Sequence, residues 1–562
     1  GDALHWRFES YDLRLEPGDH TLTALSWWAK ENAPYAQMSV RPGFLLAAEG
    51  EWQDKLSTGL APWEAMLVRG LEFIPSEVPT LTGGRIRFDA TTYPWGWQTE
   101  GNGDWQPVQR LLPGMSAAYK NETPPFWLLK PATLPPILEE WRQQGTLRHL
   151  DSQRDYPVEM SRHLATEGEA WQALLAGDAE LILPAHTTRK AIIDLGDYFC
   201  AYPSITVSGG KGARIRLAWA EGLYEQKERR SKGNRHEIEG KYFVGIADEF
   251  TCDGGAHREF FTLWWQAGRY LELTVETAEE ALTIEKCGLL KTRYPLEMQG
   301  QFRCEDDRVN RVIPKAVRTL QMCAHDTYMD CPFYEQLMYV GDTRTEVLTT
   351  YVITADDRLP RKALEIFDES RRLSGFTQSR YPSRVTQIIP PYSLWWVCMV
   401  HDYWLWRRDP DFVRRLLPGV RSVMEAFRAI VRADGLLGVP NGWNFVDWVP
   451  GWRAGVPPDA EVNPSSIINL QFVLSLLAKA ELESFFQEPL LAERDLATAH
   501  RTLKAVLRSF WDEGRGLIAD DLGHTAFSEH AQVLAILTQL LDNERLQRLS
   551  EGLLSDSDLA QT

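Results

Sequence analysis

The sequence predicts a multidomain β + α chain, in which two N-terminal antiparallel β-sandwich domains precede a toroid of helical hairpins. Three observations carry this. Up to about residue 302, short β-rich runs alternate with turn clusters, whereas past about 305 the runs are long and amphipathic. A length of 562 residues calls for three or four domains. The chain also holds 22 Trp, about 4% where roughly 1% is ordinary, and such flat apolar faces suit sandwich cores and the C–H faces of sugar rings.

The expected order is a Trp-rich β-sandwich over 1–160, a helical connector over 161–187, a second sandwich over 188–302 and the toroid over 303–562. In the first region HTLTALSWW (20–28) and RIRFDATTY (85–93) read as strands between the turns EPGD, LTGG and EGNGD. There WGW at 95–97 is either a rim platform for sugars or a buried corner. The connector rests on SRHLATEGEAWQALLA (161–176). In the second sandwich, Ile215, Leu217 and Trp219 point one way with Arg214 and Arg216 opposed, and Leu271, Leu273 and Val275 repeat the device. GGKG (209–212) is a turn between such strands, and KERRSKGNRHE (227–237) reads as a solvated loop. Helices are expected near 307–324, 343–355, 360–374, 393–407, 411–432, 464–484, 490–512, 526–540 and 543–553. Serial hairpins of this kind close into a ring of inner and outer helices, whose rim loops build a cleft. Twelve helices close a six-hairpin ring, so with nine read here either the ring is incomplete at its C-terminal end or the periodicity leaves some helices unread.

Composition narrows the partners. Hydrophobic residues at 44% and charged residues at 25% exclude the disordered and low-complexity classes. A net charge of −18 repels phosphate backbones, so no nucleic acid is expected. The most apolar run, 394–404, is short and carries His401 and Asp402, so no membrane span is expected. Seven widely spaced cysteines without a C-x-x-C pair argue for reduced thiols and against a zinc site. A cytoplasmic location is favoured, and a start without Met leaves a removed signal peptide open. A homodimer is also left open.

The densest chemistry lies at Asp326-Thr-Tyr-Met-Asp330-Cys331-Pro332-Phe333-Tyr334-Glu335-Gln-Leu-Met-Tyr339-Val-Gly341-Asp342, between the first two helices. Pro332 forces Cys331 extended, so Asp330 and Glu335 sit on irregular backbone. Crowded carboxylates repel, and one is expected to hold its proton to higher pH, as a general acid requires. Asp342 is either the N-cap of the helix over 343–355 or a substrate contact. Trp443, Asp447 and Trp448 form an aromatic–carboxylate–aromatic set on a long Gly/Pro-rich loop, suited to stacking on a sugar and bonding its hydroxyls. Trp395 and Trp396 read as packing.

The pattern D-C-P-x-x-E-x-x-x-x-x-G-D resembles the signature of the α-L-rhamnosidases, glycoside hydrolase family 78. QSRYPS (378–383), IIPPYSLWW…HDYW (388–404), NGWNFVDWVPGW (441–452) and FSEHAQ (527–532) resemble further segments of that family in the same order. The resemblance implies an (α/α)6 toroid that removes terminal α-L-rhamnose with inversion, without cofactor or metal. It makes Asp330, Glu335 and Asp342 an acidic pocket with Glu335 the general acid, and adds Trp443, Asp447, Trp448 and His530 as substrate contacts. An inverting pair of carboxylates stands roughly 6.5–9.5 Å apart to admit water. The family's general base is a Glu on a later loop, expected here beyond Thr562, and Glu529 is the candidate within the chain. The alternative is a non-catalytic carbohydrate-binding relic of the same fold, and a toroidal lyase is disfavoured because an acidic patch repels a uronate.

Overall fold

The structure, a computed structural model, describes residues 5–39, 42–117, 127–153, 157–556 and 558–561. The chain divides into two compact units: Gly1–Leu296 with Phe302–Leu337, and Glu297–Gln301 with Met338–Thr562. The first is rich in sheet and the second helical.

The first unit is built on an eleven-stranded sheet. Its strands are β1 (Leu71–Ile74), β2 (Arg85–Asp89), β3 (Leu138–Arg142), β4 (Thr146–Asp151), β5 (Leu181–Leu183) and β6 (Thr188–Gly209). They continue with β7 (Arg214–Ala220), β8 (Ile246–Thr251), β9 (Arg258–Phe261), β10 (Gln266–Glu276) and β11 (Leu282–Arg293). The order is β5-β11-β6-β10-β7-β8-β2-β1, with β4 and β9 also pairing β6 and β3 pairing β11. The sheet therefore takes strands from both regions expected to be separate sandwiches. Nor is every pair antiparallel: β2 runs parallel to β8, with Phe88 opposite Phe250, and Trp127–Pro131 runs parallel to both His5–Phe8 and Gly114–Ser116.

The alternation read from the sequence sets the core. Ile215, Leu217, Trp219, Leu271, Leu273 and Val275 are buried with Phe88, Phe250 and Phe260, and each such side chain contributes roughly 1.5–3 kcal/mol. Helix α1 (Ala165–Ala176) adds Trp171 and Leu174 to the same core. WGW is the buried corner: Trp97 donates its indole N–H to the Tyr93 hydroxyl at 2.8 Å, and Trp95 lies against Phe88. Helix α2 (Asp307–Met322), N-capped by Asp306, also belongs to this unit. Its Arg318 donates to the Tyr198 carbonyl at 2.5 Å and covers the Phe199 ring, while Met322 packs with Cys200 and Trp265. By compactness the first unit runs on through this helix to Leu337, while Glu297–Gln301 belong to the second.

In the second unit, α3 (Val340–Ile353), α4 (Arg358–Glu369), α5 (Pro390–Arg407) and α6 (Pro410–Arg428) precede α7 (Ser466–Phe485), α8 (Pro489–Phe510), α9 (Glu529–Leu537) and α10 (Asn543–Ser555). Packing alternates: α3 touches α5, α5 touches α7 and α7 touches α9, while α4, α6, α8 and α10 each pack on this inner series. The sequence explains the split. Inner α7 is apolar around most of its circumference and is buried through Ile467, Leu470, Phe472, Val473 and Leu476, whereas outer α6 and α8 carry one apolar stripe. Trp396 is fully buried on α5 and donates to the Leu364 carbonyl.

Buried charge joins α6, α7 and α8. Lys479, without solvent exposure, pairs with Glu483 at 2.9 Å and with Asp495, which are themselves held by Arg421 and Arg428. Removing one partner of a buried ion pair strands the others. Lys479→Met should therefore lower the unfolding free energy by about 3 kcal/mol, read as a fall in the urea midpoint with an unchanged m-value.

Candidate active site

The acidic segment after α2 is a closed loop. Asp330 N–H donates to the Leu337 carbonyl at 2.9 Å, and Leu337 N–H donates back to the Asp330 carboxylate at 3.2 Å. Inside this ring Gln336 N–H bonds the Cys331 carbonyl at 2.9 Å, and its side-chain amide bonds the Pro332 carbonyl at 3.0 Å. Asp330 is thus spent partly on holding backbone. Burial, then the Asp330 charge, pushes the Cys331 thiol up to about 12, so it is a neutral neighbour. Glu335 differs: its half-buried carboxylate makes no hydrogen bond or ion pair with any of the described residues.

The sheet unit grips this loop from several sides. Phe333 sits in the main core, and Leu81 N–H donates to the Tyr334 carbonyl at 2.7 Å. The Tyr334 hydroxyl meets the Tyr224 hydroxyl at 2.9 Å and Lys232 Nζ at 2.8 Å. Trp264, in the short connection between β9 and β10, donates its indole N–H to the Gln336 side-chain oxygen at 2.8 Å. Its neighbour Trp265 stacks on His325, with ring centroids 4.1 Å apart and planes 6° from parallel.

The second unit carries the other candidates. Asp342 is not an N-cap. Helix α3 begins at Val340 with Tyr339 at its cap, which places Asp342 exposed in the first turn, where a carboxylate complements the helix dipole. Two pairs of candidates do meet. Asp447 and His530 lie 3.3 Å apart across Oδ2 and Nε2. Trp443 and Trp448 pack edge-on at 6.2 Å, with Phe445 in contact with both. Trp443 is tethered through its indole N–H to the Ala454 carbonyl at 3.0 Å, while Trp448 is 65% exposed. Close packing shapes the loop: a Cβ on Gly455 would fall 2.3 Å from the Phe445 ring, and its φ of +69° is one that glycine adopts without strain. Glu529 is the first residue of α9, whose N-cap Ser528 accepts from Ala531 N–H.

The geometry can be set beside known proteins. Residues 297–561 match the model of the bacterial α-L-rhamnosidase six-hairpin glycosidase domain. Solved structures agree in fold. A rhamnosidase from Klebsiella oxytoca with rhamnose bound aligns at TM-score 0.61 and 18% identity, covering 76% of this chain and 81% of its own. A family 78 rhamnosidase of Bacillus sp. GL1 aligns at 0.59 and 22%, covering 68% and 39%. An α-L-rhamnosidase from Aspergillus terreus aligns at 0.60 and 15%, covering 86% and 49%. The chain thus spans less than half of the Bacillus and Aspergillus proteins. No curated protein matches it in sequence.

The matched six-hairpin region starts at 297, six residues ahead of the expected helical domain, and the residues that hold the acidic loop come from the sheet unit. Sequence reading missed Lys232, Trp264 and Trp265. It read the first as part of a solvated charge run, whereas consecutive tryptophans entering a strand were a usable signal. It also missed Arg380 of QSRYPS, a buried cation that donates to the Tyr339 hydroxyl at 2.6 Å. The stack under the loop makes a pH signature. Burial pushes His325 down from 6.5 to about 4, so the folded state binds fewer protons than the unfolded one between those values. Its contribution is complete above pH 6.5 and is lost as pH falls toward 4, by up to about 3 kcal/mol. His325→Phe should flatten this part of the stability-versus-pH curve, measured by urea unfolding at pH 7 and pH 4.5.

Proposed function

We propose that this protein hydrolyses terminal α-L-rhamnosides by inverting acid/base catalysis, with Glu335 as the general acid. The observation that carries the reading is a half-buried carboxylate without a protein partner, centred in a closed loop whose other polar groups are engaged. The family match over 297–561, and the rhamnose bound to the Klebsiella relative, support the substrate class. The alternation of α3, α5, α7 and α9 with outer helices supports reading the helical unit as part of an (α/α)6 toroid.

In the proposed reaction Glu335 gives its proton to the glycosidic oxygen as the bond from that oxygen to C1 breaks. Water adds to C1 from the opposite face and loses a proton to a second carboxylate. Within this chain Glu529 is the candidate for that base. Asp330 and Asp342 are proposed to bind sugar hydroxyls, together with Asp447 and its partner His530, while the Trp443 and Trp448 rings supply stacking surface.

The direct test is hydrolysis of an aryl α-L-rhamnoside by the full-length protein, with the anomer first released identified by proton NMR. Release of the α-configured sugar first would contradict inversion. Glu335→Gln should lower kcat by on the order of 10²–10⁴ with the melting temperature unchanged, and a kcat within threefold of the parent would remove the acid assignment. Loss of one stacking indole costs about 1–2 kcal/mol. Trp448→Ala should accordingly reduce kcat/KM by roughly ten- to thirtyfold at constant stability; a fall of several degrees in Tm with normal kinetics would make Trp448 a packing residue.

A further inference from the structure

We propose that Lys232 is a positioning residue for Glu335: its ammonium group, bridging Glu221 and the Tyr334 hydroxyl, fixes the backbone from which the proposed acid projects. This rests on the reading of Glu335 as the general acid. Lys232 lies in the charged run 227–237, but its side chain is only 13% exposed. An ammonium taken out of water needs matched partners. It has the Glu221 carboxylate at 2.6 Å, the Tyr334 hydroxyl at 2.8 Å and the faces of Tyr224, Phe333 and Tyr334 around it. Glu221 is steadied in turn by the Tyr198 hydroxyl at 3.3 Å. The lysine's own backbone is held, because Lys241 Nζ donates to the Lys232 and Asn234 carbonyls at 2.8 and 2.6 Å.

The consequence follows from chain adjacency. Tyr334 precedes Glu335 and is fixed by Lys232 and Tyr224, while Gln336 follows it and is fixed by Trp264. Gln336 adopts φ +54°, a conformation that costs a non-glycine residue about 1–3 kcal/mol unless its surroundings impose it. With both neighbours clamped, Glu335 retains only side-chain torsions, and a misplacement of about 1 Å in such a group can cost on the order of a hundredfold in rate. Burial also raises the phenols of Tyr224, to about 12, and Tyr334, so both stay protonated and able to bond at neutral pH.

A displaced general acid has a kinetic signature that lost stability does not share: poor leaving groups, which need the proton, suffer more than good ones. The experiment compares phenyl and 2,4-dinitrophenyl α-L-rhamnosides with the full-length parent and its Lys232→Met, Lys232→Arg, Tyr334→Phe and Glu335→Gln variants. The expected result for Lys232→Met is a kcat loss of about a hundredfold on the phenyl substrate, less than fivefold on the dinitrophenyl one, and little change in KM. Tyr334→Phe should follow the same pattern more weakly and Lys232→Arg should recover part of the rate. Equal losses on both substrates, or none, would overturn the proposal, and Tyr334→Phe decides if Lys232→Met does not fold. If Glu335→Gln shows no leaving-group dependence, or the parent is inactive, the acid assignment itself fails; if Glu335→Gln shows it and the Lys232 and Tyr334 variants do not, only the positioning role fails.

Discussion

A strand of 22 residues must satisfy the donors and acceptors of both its edges, and in the first unit that requirement organises nearly everything else. β6 does it by changing partners along its length. Thr188–Asp194 and Phe199–Ala201 pair with β10 and Lys190–Asp194 with β4, while Ala201–Gly209 pairs with β11 and Ser204–Val207 with β9. The edge that passes from β4 to β11 does so across a register irregularity between Asp194 and Phe199. There Gly196 takes φ +78° and its N–H bonds the Asp194 carboxylate at 2.9 Å. Arg148 and Arg269 converge on the same carboxylate, so the kink is pinned electrostatically as well as by backbone.

From that frame the functional geometry follows by short connections. β9 and β10 both bond β6, so the few residues between them, Thr262 to Trp265, hang from the spine of the sheet. Those residues include the two tryptophans that touch Gln336 and His325. On the next strand, β7, the chain leaves Ala220 for Glu221 and Tyr224, the partners of Lys232 and Tyr334. The acidic loop is therefore a loop by secondary structure and a rigid element by attachment. The left-handed backbone of Gln336 persists because hydrogen bonds from both of its sides over-determine it.

Much of this was legible in sequence where the signal is local. The apolar alternation in β7 and β10, the GGKG turn and all nine helices follow from periods and punctuation. Their errors are physical ones. The helix start expected at 393 lies at Pro390, because proline at the first turn loses no hydrogen bond there and belongs inside the helix. The start at Val340 was obscured by reading Asp342 as a cap; Tyr339 is extended and bridges Arg380, and the helix follows directly. What could not be read was pairing at long range. Arg85 and Asp248, whose carboxylate accepts from Ile86 N–H at 2.7 Å, are far apart in the chain, and nothing local in either strand announces the other. The same holds for the contact of Lys232 with Tyr334, 102 residues ahead, while the lysine's charged neighbours suggest solvent.

The candidate site shows how a protein divides work among like charges. Asp330 and Glu335 lie on one small loop, and both could not serve equally as free acids without mutual repulsion. The fold resolves this by employment. Asp330 accepts a backbone N–H and closes the ring, a task in which a carboxylate is strongest when ionised. Glu335 is left without such a donor, which removes the hydrogen bonds that most stabilise an anionic carboxylate and leaves it available to a ligand. On the same loop, Lys232 bonds the Tyr334 phenol and is already matched to Glu221. A lysine paired directly with Glu335 would have given equal rigidity and held the carboxylate ionised. Interposing a neutral phenol keeps the rigidity without setting a permanent counter-charge on Glu335, which is the arrangement that the proposed proton donation calls for.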